Sequence, residues 1–454
     1  MTRVSESHAS YGPMFTNRSL ASLIVPLLIE QVLAVMIGMV DTVMVSSLGE
    51  AAVSSISLVD GVNVLLIQVF SALAAGGAVV AAQYVGSRDR KNACESANQL
   101  YRISFIAAIL IAVPSLLFNR PILTGVFGKL DEDVLRGAMT YYTLSALSYP
   151  FLALYNSGAA LFRSMGNSRV SMYAAAVMNV VNVAGNAFLI YVMKWGVAGA
   201  GISTLVSRAL GAVFLTRLLS DKKNAIYIEK LWKPNFDRGL IGRILGIGVP
   251  NGLENGMFQI GKLLVMSLIA GLGTSAIAAN AIGNTMSGLA VLPGSAIGLG
   301  MVTVVGQCMG AGKPDEAAGN VKKLMLAAHA MMLFTCAILF FFPRQLVGLY
   351  NLSPEASTMA VQIIRFYGVC AFIIWPCSFT LPSALRGAGD ARFTMIVSMI
   401  SMWTFRIGFS YLLALHFNMG LMGVWIAMVI DWVARSTAFI WRFLRGKWRD
   451  IKVI

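Results

Sequence analysis

Residues 25–50 read VPLLIEQVLAVMIGMVDTVMVSSLGE, and residues 249–274 read VPNGLENGMFQIGKLLVMSLIAGLGT. The second stretch repeats the first 224 positions later: Pro26, Glu30, Leu48 and Gly49 return as Pro250, Glu254, Leu272 and Gly273 with no insertion between them. The echo runs on, from Ala52, Gln83 and Gly86 to Ala276, Gln307 and Gly310. Nearer the end of each half, ALFRSMGN at 160–167 is answered by ALRGAGD at 384–390, and Gly196 and Gly199 by Gly420 and Gly423. The chain is a tandem duplication with both halves running in the same direction. In an apolar chain, parallel halves imply two lobes related by a pseudo-twofold axis, a design in which one lobe rocks against the other around a central site, as solute transporters do.

The chain is apolar enough for that design. It is 57% hydrophobic against 12% charged, and its apolar runs exceed what a soluble core helix needs. The fold class that follows is an all-α integral membrane protein of twelve transmembrane helices in two six-helix lobes. Charge and turn punctuation places the first six helices near 20–48, 51–84, 103–119, 137–162, 170–192 and 197–220. The repeats fall near 239–270, 275–309, 318–342, 358–385, 393–415 and 420–443. The domain plan is a cytoplasmic segment 1–19, an N-lobe 20–220, a linker 221–238, a C-lobe 239–443 and a basic tail 444–454.

Positive residues in short loops stay on the cytoplasmic side. Arg3 and Arg18, Arg88, Arg90, Lys91 and Arg102, and Arg163 and Arg169 fall on one side of this topology, together with the connector residues Lys222, Lys223, Lys230, Lys233 and Arg238. Lys313, Lys322, Lys323, Arg386, Arg392 and the tail from Arg442 to Lys452 join them. The opposite loops hold little more than Arg120, Lys129, Arg136, Lys194 and Arg344. Both termini are therefore expected in the cytoplasm, with the protein in the inner (plasma) membrane. The same asymmetry accounts for the net charge of +15 without a nucleic-acid partner. The first apolar run starts near Leu20 and is long enough to span, so it is expected to be retained rather than cleaved. The five cysteines lack metal-ligand spacing and read as packing residues. His8, His329 and His416 are not paired with another His or an acid at helical spacing, which argues against an enzyme. Cofactor fingerprints are absent.

Charges inside the spans each cost roughly 2.5 to 3.5 kcal/mol at mid-membrane, so each asks for a reason. Asp41 lies deep in the first span, and its repeat counterpart is Val265, so the two lobes are expected to have different tasks. Glu30 and Glu254 each follow a Val-Pro step by four residues. Pro26 and Pro250 remove a backbone donor and bend their helices, so each acid either faces the inter-lobe cavity or caps groups freed at the bend. Gln31 and Met36 extend the same cavity reading along the first helix. Asn182 and Asn186 are four apart and share a helical face, where their amides could complete a site around Asp41 or bond neighbouring helices. Asp60 aligns with Asn284 and could line the cavity or bond another helix. Lys262 follows Glu254 by eight residues on a similar face and could neutralise it. Asp431 and Arg435, four apart, read as a structural ion pair.

Taken together, Pro26, Asp41 and Leu48-Gly49, Gln83-Tyr84-Val85-Gly86, Arg163-Ser164-Met165-Gly166-Asn167, Pro250 and Glu254, Gln307-Cys308-Met309-Gly310-Ala311-Gly312 and Leu385-Arg386-Gly387-Ala388-Gly389-Asp390 resemble the multidrug and toxic compound extrusion (MATE) transporters over nearly the whole chain. The resemblance implies a V-shaped pair of lobes that exports amphipathic, often cationic, small molecules by antiport with protons or sodium ions, with bending of the first helix. It implies ion coupling at Asp41, with Asn182 and Asn186 as polar partners and a hydroxyl matched to Thr204. Glu254 also matches the family. Some sodium-coupled members have a further acid on helix ten. This chain has no carboxylate between Glu355 and Asp390, only Trp375-Pro376-Cys377-Ser378, which shifts the weight to Asp41. No cofactor beyond H+ or Na+ is expected; the partners expected are substrates and membrane lipids, and the protein is expected to be a monomer. A flippase for lipid-linked oligosaccharides is the competing reading. It calls for cations lining the cavity, whereas the candidates read from the sequence are mostly acids.

Overall fold

The computed structural model describes residues 13–229 and 235–454; Arg3, His8, Lys230 and Lys233 lie outside the described residues. Among the described residues, twelve long helices follow one another. In the first half they are α1 (Asn17–Ser46), α2 (Glu50–Gly86), α3 (Arg90–Leu117), α4 (Glu132–Ser164), α5 (Ser168–Val192) and α6 (Gly196–Leu219). The second half has α7 (Arg238–Ala270), α8 (Thr274–Ala290 continued by Leu292–Gly310), α9 (Pro314–Phe341), α10 (Pro354–Gly387), α11 (Ala391–His416) and α12 (Gly420–Leu444). Ten spans are long and apolar enough to cross a membrane by composition alone. The remaining two, α4 and α7, are 33 residues each but are diluted by polar and charged residues such as Glu132, Arg136, Arg243, Glu254 and Lys262.

Local chemistry sets the helix starts. Thr16 caps α1 by accepting from the Ser19 amide at 3.2 Å, and Asp237 caps α7 by accepting from Gly239 and Leu240 at 2.8 and 3.1 Å. Gly49 and Gly273 begin α2 and α8 at φ +95° and +104°, a conformation that a side chain would strain, so the repeat keeps Gly at both. Asp89 caps α3 at Asn92, and the helix begins at Arg90, well before the expected start at 103. Arg90, Lys91 and Arg102, assigned to a loop by their charge, thus form its first turns. α10 passes through a π-helical segment at Pro376–Thr380, where the proline withholds a backbone donor. α5 ends in such a segment at Ala187–Val192, and α11 contains two, Met402–Gly408 and Leu412–His416. α1 and α7 remain continuous helices through Pro26 and Pro250.

Within the N-lobe, α2 packs on α4 and α4 on α6; between the lobes, α2 lies against α7 and α8, and α1 against α8. A very close inter-lobe approach pairs the ends of α2 and α8. A Cβ on Gly86 would collide with the Gln307 carbonyl, and one on Gly310 would collide with the Gln83 carbonyl. The same two glutamines reach across: Gln83 Nε2 donates to the Gly387 carbonyl at 3.2 Å, and Gln307 Nε2 to the Ser164 carbonyl at 2.7 Å. Thr303 Oγ1 adds a bond to the Arg163 carbonyl at 3.0 Å. Both described chain ends sit at this face of the bundle. The Met14 amide bonds Glu316, Arg449 pairs with Asp315 at 2.8 Å, Trp448 is buried, and Val453 packs on Gly389.

Candidate functional site

In the N-lobe, α1 presents Asp41 to α5 and α6. Asn186 Nδ2 donates to Asp41 Oδ1 at 2.9 Å. The Asn182 amide has two orientations, and only the one with its nitrogen toward Asp41 satisfies both its oxygen and its nitrogen. With that nitrogen turned away from Asp41 it lies 3.3 Å from Thr204 Oγ1, and the oxygen 3.4 Å from Asn186 Nδ2; turned toward Asp41, it donates to both carboxylate oxygens at 2.9 and 3.0 Å. Ser203 Oγ bonds the Asn182 carbonyl at 2.6 Å and ties α6 to α5 beside the site. Asp41 has no Lys, Arg or His within ion-pair distance among the described residues, so amides and not cations stand around this carboxylate. The structure therefore brings together Asp41, Asn182, Asn186 and Thr204. Asn186 Oδ1 is buried with no hydrogen-bond partner among the described residues.

Next to this group, Asp60 on α2 accepts from Asn63 Nδ2 at 3.3 Å and from the Tyr141 hydroxyl at 3.5 Å. Tyr149 donates to Asn63 Oδ1 at 2.8 Å, and Arg208 on α6 donates to Ser148 at 2.7 Å. Sequence reasoning passed over Tyr141, Tyr149 and Arg208; Arg208 was open to discovery as an arginine in the middle of an apolar run.

Glu30 and Glu254 occupy matched clamps. Arg163, at the end of α4, lies 3.3 Å from Glu30, and Ser171 on α5 donates to Glu30 at 2.9 Å. In the C-lobe, Arg386 at the end of α10 lies 3.3 Å from Glu254, and Ser398 on α11 donates to it at 2.7 Å. Each clamp borders a cavity, about 270 Å³ at Glu30 and about 250 Å³ at Glu254. Gln31 lines the first, whereas Met36 is 57% exposed on α1 and lines neither. The suggestion that Lys262 neutralises Glu254 is corrected: a residue on a neighbouring helix, Arg386, makes that pair. The signal was present in the repeated Arg of RSMGN and RGAGD, which the sequence shows as an echo between the halves without naming a carboxylate partner.

Lys262 instead faces a cavity of about 340 Å³ between α2 and the C-lobe, lined by Gly61, Leu65, Gln259, Asn284, Arg406 and Trp425 among others. Asp431 is fully buried; Arg435 Nε lies 2.9 Å from it and Ser401 Oγ 2.6 Å, and Arg406 Nη1 is 3.9 Å away. The expected Asp431–Arg435 pair is thus present, with a second arginine beside it. The inter-lobe space consequently has cationic lining in addition to the acids read from the sequence.

The MatE family model matches residues 26–188 and again 250–412, one match for each half. A probable multidrug resistance protein NorM from Thermotoga maritima is 27% identical over 449 residues, covering 96% of this chain and 94% of that protein. The multidrug resistance protein PmpM from Pseudomonas aeruginosa is 24% identical over 451 residues, covering 96% and 92%. Among solved structures, a MATE in the bent conformation superposes with a TM-score of 0.87 at 20% identity over 94% of this chain and 95% of that one. A MOP superfamily transporter from Pyrococcus furiosus superposes with a TM-score of 0.86 at 21% identity over 96% and 97%. With both halves matched by one family model, and the duplicated twelve-helix fold shared with solved members, this chain belongs to the MatE family of membrane transporters.

Proposed function

We propose that this transporter exports amphipathic, often cationic, small molecules from the cell by antiport with H+ or Na+, and that Asp41, Asn182, Asn186 and Thr204 form the coupling site. The observation that carries the reading is the buried, unpartnered Asn186 Oδ1 beside a carboxylate that has amide donors and no cationic partner. Amide, carboxylate and hydroxyl oxygens are the donor set that a small hard cation takes, and the same carboxylate can take a proton. Asn182 suits either state: its amide nitrogen satisfies a charged Asp41, and its oxygen is free to face a bound cation. The names of the relatives, multidrug resistance proteins in Thermotoga maritima and Pseudomonas aeruginosa, support the substrate class.

Ion entry from outside neutralises Asp41, α1 repacks about Pro26, and the lobes rock about their contact at the Gln83 and Gln307 end. Each charge moving down 100 mV supplies about 2.3 kcal/mol, enough for roughly a fiftyfold gradient of a neutral substrate. A cationic substrate moving outward works against the same potential, so it needs a further ion or a pH gradient. Glu254 and Glu30, with Gln31, Asp60 and Lys262, belong to the substrate path in this reading, which has the protein acting as a monomer with both termini in the cytoplasm.

The test is efflux of a fluorescent cationic dye from everted vesicles, with imposed proton and sodium gradients applied separately to wild type and Asp41→Asn. Export under one gradient, lost in the variant, supports the reading and names the ion. Full export by Asp41→Asn, or no export by folded wild type under either gradient, sinks it.

A further inference from the structure

Three cations surround one aromatic ring on the C-lobe side of the inter-lobe space. Lys262 Nζ is 6.0 Å from the centre of the Phe258 ring, Arg406 Cζ 5.7 Å and Arg435 Cζ 5.5 Å. They come from three different helices, α7, α11 and α12, so the cluster is built by the fold and is not a run of sequence. Their only carboxylate among the described residues is Asp431, which is committed to Arg435 at 2.9 Å and stands 3.9 Å from Arg406. Lys262 has no carboxylate within 4.0 Å among the described residues. An aromatic face softens a cation but does not neutralise it, and excess charge within a membrane span is costly and marks a functional surface.

Lys262 and Arg406 both line the cavity of about 340 Å³, together with the amides Gln259, Asn280 and Asn284, and Trp425 contributes an aromatic wall. Opposite them, α2 contributes Gly61, Val64 and Leu65, an apolar strip immediately after Asp60. Cations and amide donors on one wall and an apolar strip on the other fit an amphiphile with a negative head.

We propose that Lys262 and Arg406 form a binding subsite for the anionic group of an amphipathic ligand, a carboxylate, sulfonate or phosphate, with its apolar body against Leu65 and Trp425. The subsite deepens the efflux reading, and rests on it for the claim that the ligand is carried. That chemistry is shared by free amphiphiles and by the headgroups of anionic lipids.

Binding is measured on the full-length protein in detergent, by fluorescence anisotropy, with rhodamine B, which has a free carboxylate, and with its ethyl ester, which does not. Wild type is expected to prefer the carboxylate form by roughly tenfold, the worth of one charge-assisted hydrogen bond. Lys262→Gln is expected to abolish the preference, bringing the affinity for the carboxylate form down to that for the ester, and Lys262→Arg, which restores the charge, to keep it. Equal or weaker binding of the carboxylate form by wild type, or a preference that survives Lys262→Gln, overturns the subsite. Titrating in phosphatidylglycerol divides the sources: displacement of rhodamine B assigns the subsite to a lipid headgroup, and its persistence assigns it to a free amphiphile. A preference that stands while no gradient drives export of either dye leaves the subsite intact and removes the efflux reading. Export of the ester without any preference in binding does the reverse.

Discussion

Gly310 lies against the Gln83 carbonyl so closely that the two backbones leave no room for a Cβ, and the repeat returns the relationship with Gly86 and Gln307 exchanged. The obstacle is backbone and not a flexible side chain, so a methyl group there forces the ends of α2 and α8 apart. Gly310→Ala is expected to separate the lobes at this face, at a cost of about 1 to 3 kcal/mol to the closed arrangement. Spin-label distances between the ends of α2 and α8 check this: the variant should show a longer mean distance, and an unchanged distribution would show that the contact does not hold the face shut.

The Glu30–Arg163 pair is largely buried, with side-chain exposures of 12% and 18%. Removing one partner strands a charge, whereas removing both does not. Arg163→Gln alone should destabilise the protein by about 3 kcal/mol, and adding Glu30→Gln should restore most of that loss. Thermal melts in detergent of the two single variants and the double variant measure the coupling. Additive losses would contradict it.

At the coupling site, Asn182→Ala removes the amide that can face Asp41 in either orientation and the bond to Thr204. Gradient-driven dye export should fall by roughly tenfold or more, the value of a hydrogen bond to a charged group. Dye affinity without a gradient should change little. A variant that loses affinity and keeps its response to the gradient would move Asn182 from ion coupling to substrate binding.

Asp431→Asn leaves Arg435 and Arg406 without their carboxylate in a fully buried setting. A loss of about 3 to 5 kcal/mol is expected, read as a lower melting temperature or failure to purify. Asp431→Leu combined with Arg435→Met should recover stability if the pair is structural.

The repeat made the two-lobe, twelve-helix fold legible from the sequence, because glycines and prolines at fixed offsets constrain backbone in ways that leave a readable pattern. The helical spacing of Asn182 and Asn186 placed them on one face, and the resemblance supplied Thr204. The clamps were hidden because Glu30 and Glu254 find their arginines on other helices, while the sequence reading looked for partners along the same helix and so paired Glu254 with Lys262. The ring of cations around Phe258 was invisible for the same reason: α7, α11 and α12 contribute one each, and only tertiary packing brings them together. Met36 is exposed on α1 and lines neither clamp cavity, and composition alone does not tell the faces of a helix apart.

The close contact between Gly86 and Gln307 falls at one end of a helix of 37 residues. At 1.5 Å per residue α2 is about 55 Å long, so a tilt of about 10° pivoting there would sweep its far end through roughly 10 Å. Gly61, Val64 and Leu65, which form the wall opposite Lys262, ride on the distal part of that lever arm. A small change in how two backbones fit together at such a fulcrum would thereby be magnified at the wall opposite Lys262.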